Sequence, residues 1–212
     1  MRTFDDLGFD HVYKCEFDPE FPGSGEWTCP VYVFTEEGVE RVGVGGGRFA
    51  IRVGFHEVEW VGFFERGSGG ITGVFGTPSP DQLLAVDAGA AFLVDVHDPM
   101  SAGFMGYHVI GVERVEGLPL LLLNDELSLT GIGPAGAEWT TPRLVMDGLT
   151  VLSARAEGIV CRGDHYGGEP PAVTLDPRTG SIIEGRAFEW DIVPEVPLAP
   201  GRRGWFARKK RT

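Results

Sequence analysis

No long stretch of this chain is free of residues that break helices. It holds 32 glycines and 15 prolines in 212 residues. Glycine alone is about twice its usual share of roughly 7%. These residues are spread along the chain and separate short apolar runs. That punctuation suits many short strands joined by tight turns, and it leaves no run of ten or more residues with a helical stripe.

The runs can be followed from residue 31. VYVF (31–34), a Glu-Glu-Gly turn and VERVGV (39–44) predict a first hairpin. RFAIRV (48–53) and HEVEWVGFF (56–64) follow, joined through Gly54 and Phe55. LLAV (83–86) and AAFLVDV (90–96) flank an Asp-Ala-Gly turn. LLLL (120–123) and LSLTGIG (127–133) flank Asn-Asp-Glu. LTVLSA (149–154) and IVCRGDH (159–165) flank RAEG. AVTLDP (172–177) and SIIEG (181–185) flank RTG. The expected fold is therefore all-β, a series of antiparallel hairpins with little helix. Its layout is either propeller-like or a twisted two-sheet sandwich. LLLL lacks alternation, which predicts a strand buried on both faces.

Hydrophobic residues make up 42% of the chain, enough for a core without disulfide or metal staples. The length fits one β-rich domain over residues 1–200. Residues 1–30 carry Phe4, Phe9, Phe17 and Phe21 without a shared period, and Pro19, Pro22 and Pro30 punctuate them. They are expected to wrap over the body as an irregular segment. After a proline-rich stretch from Val193, residues 201–212 form a basic tail.

Charge divides the chain. Net charge is −13, yet six of the eighteen Lys and Arg lie in the last eleven residues. Residues 1–201 then carry twelve basic and thirty-one acidic side chains, a balance of −19. An acidic body repels phosphate backbones, so no nucleic acid is expected to bind there, and it attracts basic proteins. Cys15, Cys29 and Cys161 are odd in number and lack CxxC spacing, which disfavours a disulfide framework or a zinc cluster. No apolar leader is visible at the N-terminus, and the longest apolar run, 118–123, is too short to span a bilayer. The expected compartment is a reducing cytoplasm, with no membrane association, cofactor or metal.

Several residues nevertheless stand where chemistry is possible. Asp95 and His97 would share a strand face as a carboxylate–imidazole pair, with Asp98 beside them and His108 on a neighbouring strand. The competing reading is a turn opened by Asp98-Pro99. Cys161, Asp164 and His165 lie close in sequence. Cys161 and His165 share parity, but on a straight strand they are on the order of 13 Å apart, too far for a nucleophile and its base. Gly43, Gly45, Gly46 and Gly47 suggest a nucleotide loop, yet Arg48 replaces the third fingerprint glycine and a strand follows, so a hairpin turn is favoured. Glu57 and Glu59 alternate on one strand and read as a charged edge. Asp95, His97, His108 and His165 are the catalytic candidates, and none falls in a recognised motif.

Residues 77–185 contain TPSPDQLLAVDAGAAFLVDVHDP, LLLLND followed by LSLTGIGPAG, and WTTPRLVMDGLTV followed by TLDPRTG. This stretch resembles a group of bacterial proteins with the pattern GxxW-SPRL-xxDGL…DxxTG, here with Thr141 in place of the serine. The group has no assigned activity, so the resemblance implies a β-rich fold and no function. Trp139 in that pattern is expected to be buried as a plug between sheets, and Asp147-Gly148 to form a tight turn.

The charge and the lack of catalytic motifs favour a non-catalytic protein-binding module, such as an immunity protein that neutralises a basic toxin. The alternatives are a hydrolase using the His/Asp cluster and a ligand-binding or scaffolding propeller. A groove lined by convergent His and Asp would favour the enzyme; an acidic face with aromatics would favour the binder.

Overall fold

The computed structural model describes residues 4–22, 26–43, 49–164 and 172–188. In chain order the first strands are β1 (Phe4–Asp5), β2 (Lys14–Phe17), β3 (Val31–Thr35), β4 (Gly38–Val42), β5 (Ala50–Phe55) and β6 (Val58–Phe64). Then come β7 (Gly73–Gly76), β8 (Gln82–Asp87), β9 (Ala90–Asp95), β10 (Gly103–Gly106), β11 (Gly111–Arg114) and β12 (Leu121–Asn124). The last are β13 (Leu129–Gly133), β14 (Gly136–Thr140), β15 (Asp147–Arg155), β16 (Gly158–Asp164), β17 (Val173–Leu175) and β18 (Ile182–Glu184). Among the described residues the only helical element is one 3-10 turn, Pro99–Ser101. The fold is all-β, as the spacing of turns predicts.

The strands form four sheets. Sheet I has the order β2-β5-β6-β3-β4 and sheet II the order β1-β7-β8-β9-β10. Sheets III (β11 to β14) and IV (β15 to β18) are simple meanders. Among the described residues all strand pairings are antiparallel except β1 with β7 and β3 with β6, and an isolated parallel bridge joins Glu116 to Arg155.

The apolar clusters show how the sheets stack. Phe34, Ile51, Val53, Trp60 and Phe64 of sheet I meet Val74, Leu83, Ala85, Phe92 and Val94 of sheet II. Phe34 and Phe64 stack at 4.4 Å within that layer. On the other face of sheet II, Leu84, Val86 and Ala91 meet Leu121, Leu123 and Ile132 of sheet III. Leu122 and Leu129 of sheet III then meet Leu149, Ile159, Cys161, Val173 and Leu175 of sheet IV. Successive residues of a strand point to opposite faces. The central strands of sheets II and III are therefore buried on both faces, which explains why β8, β9 and β12 are apolar without alternation between their ends. The four-strand meander is the layout of a propeller blade, but the clusters run in a line, I to II to III to IV. The architecture is a twisted, multilayered sandwich.

Three sequence expectations need correction. Residues 1–30 do not only wrap: β1 joins the edge of sheet II and β2 the edge of sheet I. Two-residue and four-residue strands are too short to give an alternation readable against the phenylalanines. The β5–β6 hairpin turns at His56-Glu57, not at Gly54-Phe55, with His56 at φ 51°. Asp147-Gly148 is no hairpin turn but the bulged start of β15, with Gly148 at φ 62° and Asp147 Oδ1 accepting the Gly148 N–H. Trp139 on β14 is largely buried against the core between sheets III and IV, as expected of a plug. It bridges two sheets, since its Nε1 donates to Pro177 O at 3.0 Å in the β17–β18 loop. The basic tail lies outside the described residues.

Candidate functional site

Strand directions place the acidic residues. β3 and β6 are parallel, so the β3–β4 turn at Glu36-Glu37 and Glu65 after β6 share one end of the stack. The β8–β9 turn lies at that end too: Gly67 N–H donates to Asp87 O at 2.9 Å and Gly69 N–H to Ala88 O at 3.1 Å. β10 runs toward this end, carrying Tyr107 to within 2.8 Å of Glu65 Oε1 and 3.1 Å of Glu36 Oε2. The β12–β13 turn adds Asp125 and Glu126, and the paired ends of β15 and β16 add Asp147 and Asp164. Acidic residues of sheets I, III and IV, with Tyr107 of sheet II between them, form a rim at this end of the stack. The described residues as a whole hold 27 Asp and Glu against 10 Lys and Arg, a balance of −17.

Hydrogen bonds fix the rim's shape. Ile110 N–H donates to Asn124 O at 2.8 Å, linking sheets II and III. Asn124, buried, donates from Nδ2 to Leu149 O at 2.9 Å, while Leu149 N–H donates to Glu126 O at 2.8 Å, linking III and IV. Asp125 caps its own turn through the Leu127 and Ser128 amides. Between sheets I and II, Glu65 is held on both oxygens, by the Tyr107 hydroxyl and by the Glu36 N–H at 2.8 Å. The bond to Glu65, burial and the nearby Glu36 raise the Tyr107 ionisation well above the usual phenol range. The phenol thus stays protonated and serves as a donor, not a nucleophile.

Basic side chains at this end include Arg66, which is exposed, and Arg143. Arg143 is turned onto backbone: Nε donates to Val145 O at 2.9 Å and Nη2 to Met146 O, with Phe188 against its guanidinium. At the opposite end charge is mixed, with Lys14, Arg155 and Arg178 among Glu57, Asp81, Asp95 and Asp98.

The predicted catalytic residues do not converge. Asp95 Oδ1 accepts the His97 N–H at 2.8 Å and the Asp98 N–H at 3.3 Å, so it shapes a turn. His97 is past the end of β9; its Nε2 lies 3.2 Å from Asp81 Oδ1 and its ring stands edge-on to Phe55 at 4.5 Å. His108 follows β10, which is antiparallel to β9, and so sits at the other end of sheet II. Strand parity missed this because it carries no direction. His165 and Gly45, Gly46 and Gly47 lie outside the described residues. Cys161 is enclosed between sheets III and IV, where burial pushes its thiol up to about 12, while Asp164 is on the rim. Glu57 and Glu59 are exposed, and no group of three His, Cys, Asp or Glu able to hold a metal occurs among the described residues. Tyr107 and Asn124 were not singled out by the sequence, since their importance depends on turns brought together from distant strands.

No protein-family model matches the chain, and no curated protein matches it significantly. Among the described residues, no helix is long and apolar enough to cross a membrane.

Proposed function

We propose that this protein is a non-catalytic binding module of the immunity type, whose acidic rim receives a basic protein partner in a reducing, cytoplasmic setting. The observation that carries this reading is the rim: carboxylates from sheets I, III and IV collect at one end on hydrogen-bonded turns, with Tyr107 of sheet II among them. Fixed charges on rigid turns raise association rates through long-range attraction and lose little conformational freedom on binding. A Tyr set among them supplies contact area of the kind enriched at interface centres. The three cysteines, all free, suit a compartment where thiols stay reduced.

The test is a capture experiment from the native cell with three proteins. One is wild type, one carries Glu36→Gln, Glu37→Gln, Glu126→Gln and Asp147→Asn, and one carries Glu57→Gln, Asp81→Asn and Asp98→Asn at the opposite end. A basic partner should be held by the first and third and lost by the second. Its association rate should fall as the screening length shortens from about 30 Å at 0.01 M salt to about 8 Å at 0.15 M, with dissociation changing less. An acidic partner, or association indifferent to salt, refutes the reading.

A further inference from the structure

Sheet IV begins with an aspartate followed by a glycine. Asp147-Gly148 is the one Asp-Gly pair in the sequence, and both residues are exposed. The amide nitrogen that follows an aspartate can attack its side-chain carboxyl and close a five-membered imide. In most pairs the next residue's Cβ crowds that nitrogen; glycine has none. What folding adds is the conformation of this one peptide.

Elsewhere the turns hold the attacking nitrogen away. Asp5, Asp6, Asp95, Asn124, Asp125 and Asp176 each accept from the amide two residues on. Such Asx turns aim the side-chain oxygen past the amide that follows it directly. Asp147 differs, because its Oδ1 accepts from the adjacent Gly148 N–H at 2.8 Å. The carboxyl carbon behind that oxygen then lies roughly 3–3.5 Å from the nitrogen, the spacing of a near-attack arrangement. The surroundings are open: a Cβ on Gly148 would meet nothing closer than Asp164 Oδ2 at 3.9 Å. The β15–β16 register also passes from Asp147 and Asp164 directly to Thr150 and Arg162, so within that ladder Gly148 has no paired residue.

We infer that Asp147 isomerises spontaneously to isoaspartate in the folded protein, and that the product loosens the junction of sheets III and IV. Gly148 N attacks Cγ of the protonated Asp147 carboxyl. The N–Cγ bond forms, the Cγ–OH bond breaks, and the hydroxyl leaves with the amide proton as water. Water then adds to one carbonyl of the imide. Addition at Cγ restores aspartate. Addition at the main-chain carbonyl of residue 147 breaks its bond to Gly148 N, so the chain now runs through Cβ and Cγ and the α-carboxyl hangs free. One water leaves and one returns, so the mass is unchanged. The main chain is now one methylene longer between two anchored points. Met146 N–H donates to Asp164 O at 3.0 Å, and Leu149 N–H donates to Glu126 O at 2.8 Å. Asn124 Nδ2 also holds Leu149 O, at 2.9 Å. The extra length falls on these bonds between sheets III and IV. The inference does not rest on the partner proposed for the rim.

The test is to age the full chain in warm, mildly acidic buffer made with heavy-oxygen water, beside the same chain unfolded in guanidinium. Peptide mapping with fragmentation that separates isoaspartate from aspartate then reads each site. Isoaspartate and the gain of one heavy oxygen should localise at residue 147. The rate there should exceed that at Asp5, Asp95 and Asp125 by about tenfold or more, the advantage of the near-attack geometry, and should be no slower than in the unfolded chain. Asp147→Glu, which would have to close a larger ring, should abolish the reaction while keeping the charge. The isomerised chain, separated by ion exchange, should unfold at a lower urea concentration than the unaged chain, and aged Asp147→Glu should keep its midpoint. Absence of isoaspartate at 147, a native rate below the unfolded one, or an isomerised chain with an unchanged midpoint each overturns the inference.

Discussion

Trp139 offers the sharpest test of how sheets III and IV are joined. Its ring lies across two glycines. A Cβ on Gly131 would meet Trp139 Cε2 at 2.2 Å, and one on Gly180 would meet Cε3 at 2.5 Å. Full burial of a tryptophan removes roughly 150–250 Å² from water, so a largely buried one removes about 100 Å² or more, a contribution of about 2.5 kcal/mol. The Nε1 bond to Pro177 O adds about 1 kcal/mol. Trp139→Ala should therefore cost about 3–4 kcal/mol and Trp139→Phe about 1 kcal/mol. Gly131→Ala should cost about 1–3 kcal/mol in the wild type through overpacking and nearly nothing in the Trp139→Ala background. Urea melts of the four proteins, at constant slope, measure this cycle. A Trp139→Ala loss below about 1 kcal/mol, or an equal Gly131→Ala cost in both backgrounds, would refute the claim that the ring occupies the space these glycines leave.

Asn124→Ala removes the donor to Leu149 O and the acceptor for the Glu126 N–H at the junction of sheets III and IV. It should cost about 2 kcal/mol or more in the same melts, and a loss under about 0.5 kcal/mol would show the junction to be solvated. The raised Cys161 thiol predicts slow alkylation at pH 8 in the native protein. Because the unfolded chain loses that proton near its ordinary value of about 8.5, the associated stability is intact below it and declines as pH rises toward about 12. Cys161→Ala should flatten part of that decline in pH-dependent denaturation curves; an unchanged curve would contradict it. Elemental analysis is expected to find no stoichiometric metal, because Asp95 is committed to its turn and His97 to Asp81; one zinc or manganese per chain would overturn this.

Much of the fold could be read from the sequence because tight turns are chemically explicit. The Asp-Ala-Gly tip of β8–β9 places Ala88 at φ 46° and Gly89 at φ 85°, the left-handed pair that a two-residue hairpin requires. The unbroken LLLL run likewise reported burial on both faces. The site was less legible. Whether Asp95, His97 and His108 converge depends on strand direction and on where β9 stops, neither of which a parity argument contains. The rim depends on which turns fall at the same end of four sheets, a property of topology. The flanking of Gly54 by Lys14 and Glu59 likewise depends on register, since the two are forty-five residues apart in sequence and are brought to either side of β5 only by strand pairing.

The linear order of the sheets has a consequence for which substitutions the chain can absorb. Along the apolar interiors of β8, β9 and β12 each side chain faces one neighbouring sheet or the other, so a polar replacement at Leu83 to Val86, Ala90 to Phe92 or Leu121 to Leu123 enters a layer with no water to receive it. In β4 and β15, on the end sheets, alternate positions face outward, and Leu152, 56% exposed, is one of them. A saturation scan should therefore show two textures: uninterrupted intolerance through the central strands of the middle sheets, and a two-residue rhythm of tolerance in the outer ones. Sequence drift in related chains would concentrate at the two ends of the stack. A new surface could then arise on sheet I or sheet IV without disturbing the layers between them.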